Sequence, residues 1–123
     1  MALLKRRRYP RRQFKHKVGV LYRGHYLVGD AWEIGEGGIR FSTDHKLEAE
    51  SVVVLSFLVS TEVYVITKGQ LRYQSPPKED GRITFGFQFL DIAFDKKRAI
   101  RDYIAAKTEA EAARELANAE EAA

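Results

Sequence analysis

Ile83-Thr84-Phe85-Gly86-Phe87-Gln88-Phe89 sets an apolar side chain at every second position, with small or polar residues between. A repeat of two is the repeat of a β-strand, whose successive side chains point to opposite faces. The stretch therefore reads as a half-buried strand with aromatic rings lining a core. Moving outward, 62–73 alternates in the same way, with Val63, Val65, Thr67 and Gly69 against Tyr64, Ile66 and Lys68. Ser75-Pro76-Pro77-Lys78-Glu79-Asp80-Gly81 joins the two as a loop. Residues 51–59, SVVVLSFLV, are the most apolar candidate and read as a central strand. Earlier, 17–22 (KVGVLY) is a strand, and Arg23-Gly24-His25 is a short turn. A second strand starts at Tyr26 and runs to Ile34, and a third opens at Ile39 and Phe41. Gly35-Glu36-Gly37-Gly38 lies between them, where glycines supply positive φ or a close backbone approach.

From Asp95 the period changes. Asp95 reads as the helix N-cap, and Ile100, Tyr103 and Ile104 form a helical stripe. Beyond Lys107 the chain is rich in Ala and Glu, helix-prone but with little to pack. A helix that docks with its first turns and projects later is expected. The sum is an all-β fold with a terminal helix. No βαβ alternation appears, so five to seven antiparallel strands closing into a small β-barrel, followed by a C-terminal α-helix, fit best. The expected organisation is a flexible basic arm at 1–16, the barrel and start of the helix at 17–106, and a helical extension at 107–123.

Composition narrows the chemistry. The 123 residues suit one core, and the absence of cysteine excludes disulfides and thiolate chemistry. No apolar run approaches the roughly 20 residues of a membrane span, so a cytoplasmic protein without membrane insertion is expected. The formal net charge is +4 and unevenly spread. The first seventeen residues hold a large share of the cations and no carboxylate, whereas the last fifteen are mainly Ala and Glu. A basic head implies an anionic partner. His16, His25 and His45 are scattered without metal-ligand spacing. No glycine-framed nucleophile or Walker loop appears, so a binding module without enzymatic activity or cofactor is expected.

The arm itself is Lys5-Arg6-Arg7-Arg8-Tyr9-Pro10-Arg11-Arg12. Pro10 blocks a helix and biases Tyr9 toward extended backbone. Guanidinium groups on such a segment pair bidentately with phosphate, stack on flat rings and can read the O6/N7 edge of guanine. The glycine turn offers backbone N–H groups to an anion or a base edge.

Arg6-Arg7-Arg8-Tyr9-Pro10-Arg11, a following barrel and a hairpin ending Gly37-Gly38-Ile39-Arg40 together resemble the PilZ domain family, bacterial receptors for cyclic di-GMP. The likeness covers roughly 5–106. The family's Arg-x-x-x-Arg motif falls on Arg7 and Arg11, with Arg6 as the preceding cation; Arg8 and Arg12 share the spacing. Its (Asp/Asn)-x-Ser-x-x-Gly motif falls on Glu33-Ile34-Gly35-Glu36-Gly37-Gly38. Gly38 is kept, but Glu33 replaces Asp or Asn and Gly35 replaces Ser. Glu33 still accepts from a guanine N–H on a longer stem, and Gly35 lacks the hydroxyl. Two weakened hydrogen bonds lower affinity by about tenfold to a few hundredfold.

The resemblance implies a ligand site made of Arg6, Arg7, Arg11, Glu33, Gly35, Gly38 and Arg40. The arginines would hold phosphates and guanine edges of cyclic di-GMP, often bound in this family as an intercalated dimer. Glu33 would take a guanine Watson–Crick edge, and Gly35 and Gly38 would admit the base to the backbone. Binding would order the arm and present a new surface to an unidentified protein partner. The alternative is a PilZ-like protein-interaction adaptor that has lost the nucleotide; Glu33 and Gly35 argue for it and the arginine pair against it. A nucleic-acid partner fits less well, because long polyanions need an extended basic face and these cations sit in one short arm.

Overall fold

The computed structural model describes residues 11–122; Arg6, Arg7 and the rest of 1–10 lie outside the described residues. Six strands follow in order: β1 (Arg11–Tyr22), β2 (His25–Gly35), β3 (Gly38–Thr43), β4 (Val52–Leu58), β5 (Tyr64–Gln74) and β6 (Ile83–Leu90). One helix, α1 (Phe94–Ala122), ends the chain. The strands close into an antiparallel barrel in the order β1-β2-β3-β6-β5-β4. Closure is made where Gly19, Val20 and Leu21 of β1 face Ser56, Leu55 and Val54 of β4.

Alternation decides which face of each strand turns inward. Ile83, Phe85, Phe87 and Phe89 are buried, as are Ile39 and Phe41 of β3, Val53, Leu55 and Phe57 of β4, and Val65 and Leu71 of β5. The rings stack in two pairs, Phe41 with Phe87 at 5.3 Å and Phe57 with Phe89 at 5.8 Å between centroids. Offset stacking of this kind adds about 0.5–1.5 kcal/mol per pair beyond burial alone. The helix then closes the barrel beside β1 and β2, burying Ile100 and Ile104. Leu116, farther along α1, is exposed.

Two boundaries differ from the sequence reading. β1 begins at Arg11 and not at residue 17. A register shift between Gln13 and His16 interrupts the period of two, so the polar beginning of the strand carries no clean alternation. The helix begins at Phe94, so Asp95 lies inside its first turn and is not the N-cap. The Ala93 carbonyl instead accepts from the Lys96 and Lys97 amides at 3.0 Å each. Asp95 still meets the positive end of the helix dipole.

The β1–β2 turn is a two-residue loop. Arg23 and Gly24 both hold positive φ, +50° and +79°, and Tyr22 faces His25 across the turn. That geometry matches the twist of adjoining strands.

Candidate functional site

The β2–β3 hairpin lies beside Arg11, the second arginine of the first expected motif. Gly35 ends β2 and Gly38 begins β3, so the glycine-dense turn is only Glu36 and Gly37 wide. On one side of the hairpin, Arg11 of β1 faces Gly35, Arg12 faces Ile34 and Gln13 faces Glu33. The backbone of the second arginine of the first motif is thus hydrogen-bond neighbour to the second motif. On the other side, Gly38 faces Gln88 and Arg40 faces Gly86 of β6.

No glycine of this turn has positive φ; among the described glycines only Gly24 and Gly81 do. Close approach is what Gly38 supplies. A Cβ there would lie 2.1 Å from the Phe87 carbonyl oxygen. The neighbouring Phe89 amide donates to the Gly37 carbonyl at 2.9 Å, which holds the hairpin against β6.

The outward side chains of four adjacent strands build an open groove on the barrel wall. Glu33 faces Arg40 across β2–β3, Arg40 faces Gly86 across β3–β6, and Gly86 faces Tyr73 across β6–β5. These four residues form one transverse row. Because Gly86 carries no side chain, the Arg40 guanidinium reaches over it to the Tyr73 ring, 5.2 Å from the centroid. Arg40 also pairs with Glu33, Nε to Oε1 at 3.6 Å. In the next row, Arg72 Nε donates to Gln88 Oε1 at 2.8 Å. The groove holds about 300 Å³ and extends along Gly37, Gly38 and Ile39.

The groove offers what a nucleotide needs: two guanidinium groups, a largely buried carboxylate, an aromatic face and a glycine floor. Cations of this type pair with phosphate, and the ring offers a platform for a base. Of the residues expected from sequence, Glu33, Gly35, Gly38 and Arg40 all line it. Arg11 enters by its backbone position, while Arg6 and Arg7 lie outside the described residues.

Arg72, Tyr73, Gly86 and Gln88 were not foreseen. Gly86 carried a signal, since a glycine inside a strand marks a close approach over the sheet. Arg72 and Tyr73 had none, because a register shift between Leu71 and Tyr73 turns both toward the groove against simple alternation. Glu36 was a second omission. This nearly buried carboxylate at the hairpin tip accepts from Arg101 of α1, with Nε at 3.1 Å and Nη2 at 3.0 Å. The pair ties the hairpin to the helix.

Comparison with known proteins agrees with the fold. The PilZ domain profile matches residues 5–106, most of the chain. The chain belongs to the PilZ domain family. No match is found among curated proteins. Among solved structures, this PilZ domain is similar to the PilZ domain of YcgR from Escherichia coli, solved with c-di-GMP. The TM-score is 0.69 at 18% identity, covering 93% of this chain and 98% of that one. It is also similar to the inhibitor of motility MotI/DgrA of Bacillus subtilis, with TM-score 0.75 at 15% identity over 85% of this chain and 52% of that one. A K. pneumonia MrkH–c-di-GMP complex gives TM-score 0.69 at 20% identity, over 91% and 56%. The chain therefore spans about half the length of MotI/DgrA and MrkH, and nearly all of the YcgR domain. Among the described residues, no helix is long and apolar enough to cross a membrane.

Proposed function

We propose that this PilZ domain is a receptor for cyclic di-GMP and not an enzyme. The observation that carries the reading is Arg11 backbone-paired to Gly35 of the second motif, beside a groove holding Glu33, Arg40, Arg72 and Tyr73. Similar folds in YcgR and MrkH were solved with the same dinucleotide, which supports the choice of ligand.

In this mechanism Arg7 and Arg11 bond the phosphates and guanine edges, with Arg6 assisting. Glu33 accepts from a guanine N–H. Arg40 Nε lies 3.6 Å from that carboxylate. An incoming guanine therefore displaces Arg40 from Glu33, freeing its guanidinium for a phosphate or a base plane. Tyr73 is the aromatic face nearest to it. Gly35 and Gly38 leave the backbone open to the base. Binding gathers the arm over the groove, and the resulting surface engages a protein partner.

The second reading is an adaptor without nucleotide. It is favoured by the same Arg40 contact on Glu33, together with the missing hydroxyl at Gly35. Calorimetry with cyclic di-GMP separates the two. Micromolar or tighter binding by the intact chain, lost in Arg7→Ala plus Arg11→Ala, supports the receptor. No heat with the intact chain supports the adaptor.

A further inference from the structure

Of the four residues Gly35-Glu36-Gly37-Gly38, only Glu36 has a side chain. Glycine has the most conformational freedom to lose when a backbone is fixed. A nucleotide that packs on this turn binds more tightly if the backbone is ordered beforehand, because ordering left to the binding step weakens affinity. Backbone pairing holds the flanks: Arg11 faces Gly35 on one side, and on the other Gly38 faces Gln88 and the Gly37 carbonyl accepts from the Phe89 amide. Between the flanks, anchorage through a side chain falls to Glu36.

That side chain is gripped by the helix. Glu36 Oε1 accepts from Arg101 Nε at 3.1 Å and lies 3.0 Å from Arg101 Nη2. The Glu36 side chain is 11% exposed and that of Arg101 54%. The buried partner therefore belongs to the turn and the accessible one to α1. Burying a carboxylate is costly unless a cation accompanies it, so Glu36 keeps its place in the fold while α1 is docked.

The helix has few other holds. Ile100 and Ile104 are buried and Tyr103 is partly buried against the core, whereas residues 105–110 are all exposed. Docking is on β1 and β2, the strands that carry Arg11 and Glu33. A segment with so few buried contacts is the kind of unit that opens locally without unfolding the rest.

We propose, on the receptor reading, that Arg101 is a positioning residue for the nucleotide. By holding Glu36 it fixes the glycine turn in the shape that the ligand meets, so docking of α1 and binding of cyclic di-GMP favour one another. Arg101 touches no ligand atom in this scheme. Linkage makes the effect reciprocal: the factor that docked α1 adds to affinity is the factor that ligand adds to docking. A ligand with equal affinity for the docked and released states would leave α1 unchanged. The exposed continuation of α1 then carries groove occupancy to a partner.

Calorimetry with cyclic di-GMP, well below the melting temperature of every protein compared, tests this. Glu36→Gln plus Arg101→Ala removes one anion and one cation together, so the formal net charge and the long-range attraction for the ligand are unchanged. Binding should weaken about tenfold, the cost of ordering roughly one residue of the turn. Arg101→Lys should weaken it less, because an ammonium keeps the charge without the planar fork. Arg98→Ala, exposed on α1 and facing the Phe94 ring, should leave affinity unchanged. Hydrogen exchange needs no variant: the Ile100 and Ile104 amides of the intact chain should exchange about tenfold more slowly at saturating ligand, and the double variant should show less slowing. A merely structural tie would lower the melting temperature of the double variant and leave its affinity equal to that of the intact chain. That result, or α1 exchange indifferent to ligand in an intact chain that binds, overturns the inference and leaves the receptor reading standing. No heat with the intact chain overturns both.

Discussion

Gly38→Ala is the substitution in which the packing argument is most exposed. The added Cβ would lie 2.1 Å from the Phe87 carbonyl oxygen, 3.2 Å from its carbon and 3.4 Å from the Gln88 Cα. All three are backbone atoms of β6, so no flexible side chain can swing aside. An ordinary carbon–oxygen approach is about 3.3–3.6 Å, so β3 and β6 must part by roughly 1 Å. That strains the Gly37 carbonyl bond to the Phe89 amide, 2.9 Å long. Overpacking of this sort costs about 1–3 kcal/mol, and losing the bond adds about 1 kcal/mol. At about 3–6 °C per kcal/mol for a chain of this size, between the small-domain and larger-domain ranges, the melting temperature should fall by roughly 6–24 °C. Thermal unfolding followed by circular dichroism measures it without any ligand. Gly81→Ala provides the scale for backbone strain alone, because Gly81 has φ +83° and nothing within 4 Å of a Cβ. A Gly38→Ala protein melting within about 2 °C of the parent would refute the reasoning. The last glycine of the motif would then serve ligand access alone.

Three further outcomes are expected. Arg101→Ala strands the nearly buried Glu36 carboxylate and should destabilise the fold by about 1–3 kcal/mol, read by urea unfolding, with Glu36→Gln plus Arg101→Ala recovering part of the loss. Tyr73→Ala removes the aromatic face of the groove; if a base stacks there, cyclic di-GMP affinity should drop by about 1–3 kcal/mol in calorimetry while the melting temperature changes little. Asp30 is held below the usual carboxylate range by the hydrogen bond from Lys17, with the Lys17 and Arg82 charges acting in the same direction against burial. Its stabilising contribution is therefore full above the ordinary carboxylate pKa and lost as pH falls below that range through the lowered value. Asp30→Asn should flatten the acid limb of stability against pH, by a small amount because the carboxylate is half exposed.

The barrel was readable wherever one face of a strand is buried along its whole length. Ile83, Phe85, Phe87 and Phe89 announce β6 because burial enforces strict alternation. Reading failed where the register shifts. The irregularity between Gln13 and His16 hid the beginning of β1, and with it the pairing of Arg11 to Gly35. The shift between Leu71 and Tyr73 hid half of the groove for the same reason. Glu33, Gly35, Gly38 and Arg40 were found because they are contiguous in one hairpin. Arg72, Tyr73 and Gln88 join them only through strand neighbours far away in sequence. Glu36 could not be matched to Arg101 by any local spacing, since the two are 65 residues apart.

A backbone-amide NMR titration of the intact chain with cyclic di-GMP tests the receptor assignment most directly, since it reports both binding and place. Saturable shifts are expected at Gly35, Gly37, Gly38, Arg40 and Gly86, with the amides of Val28 and Ile66 on the opposite wall unmoved. A spectrum unchanged at ligand excess, or changes confined to that opposite wall, would contradict it.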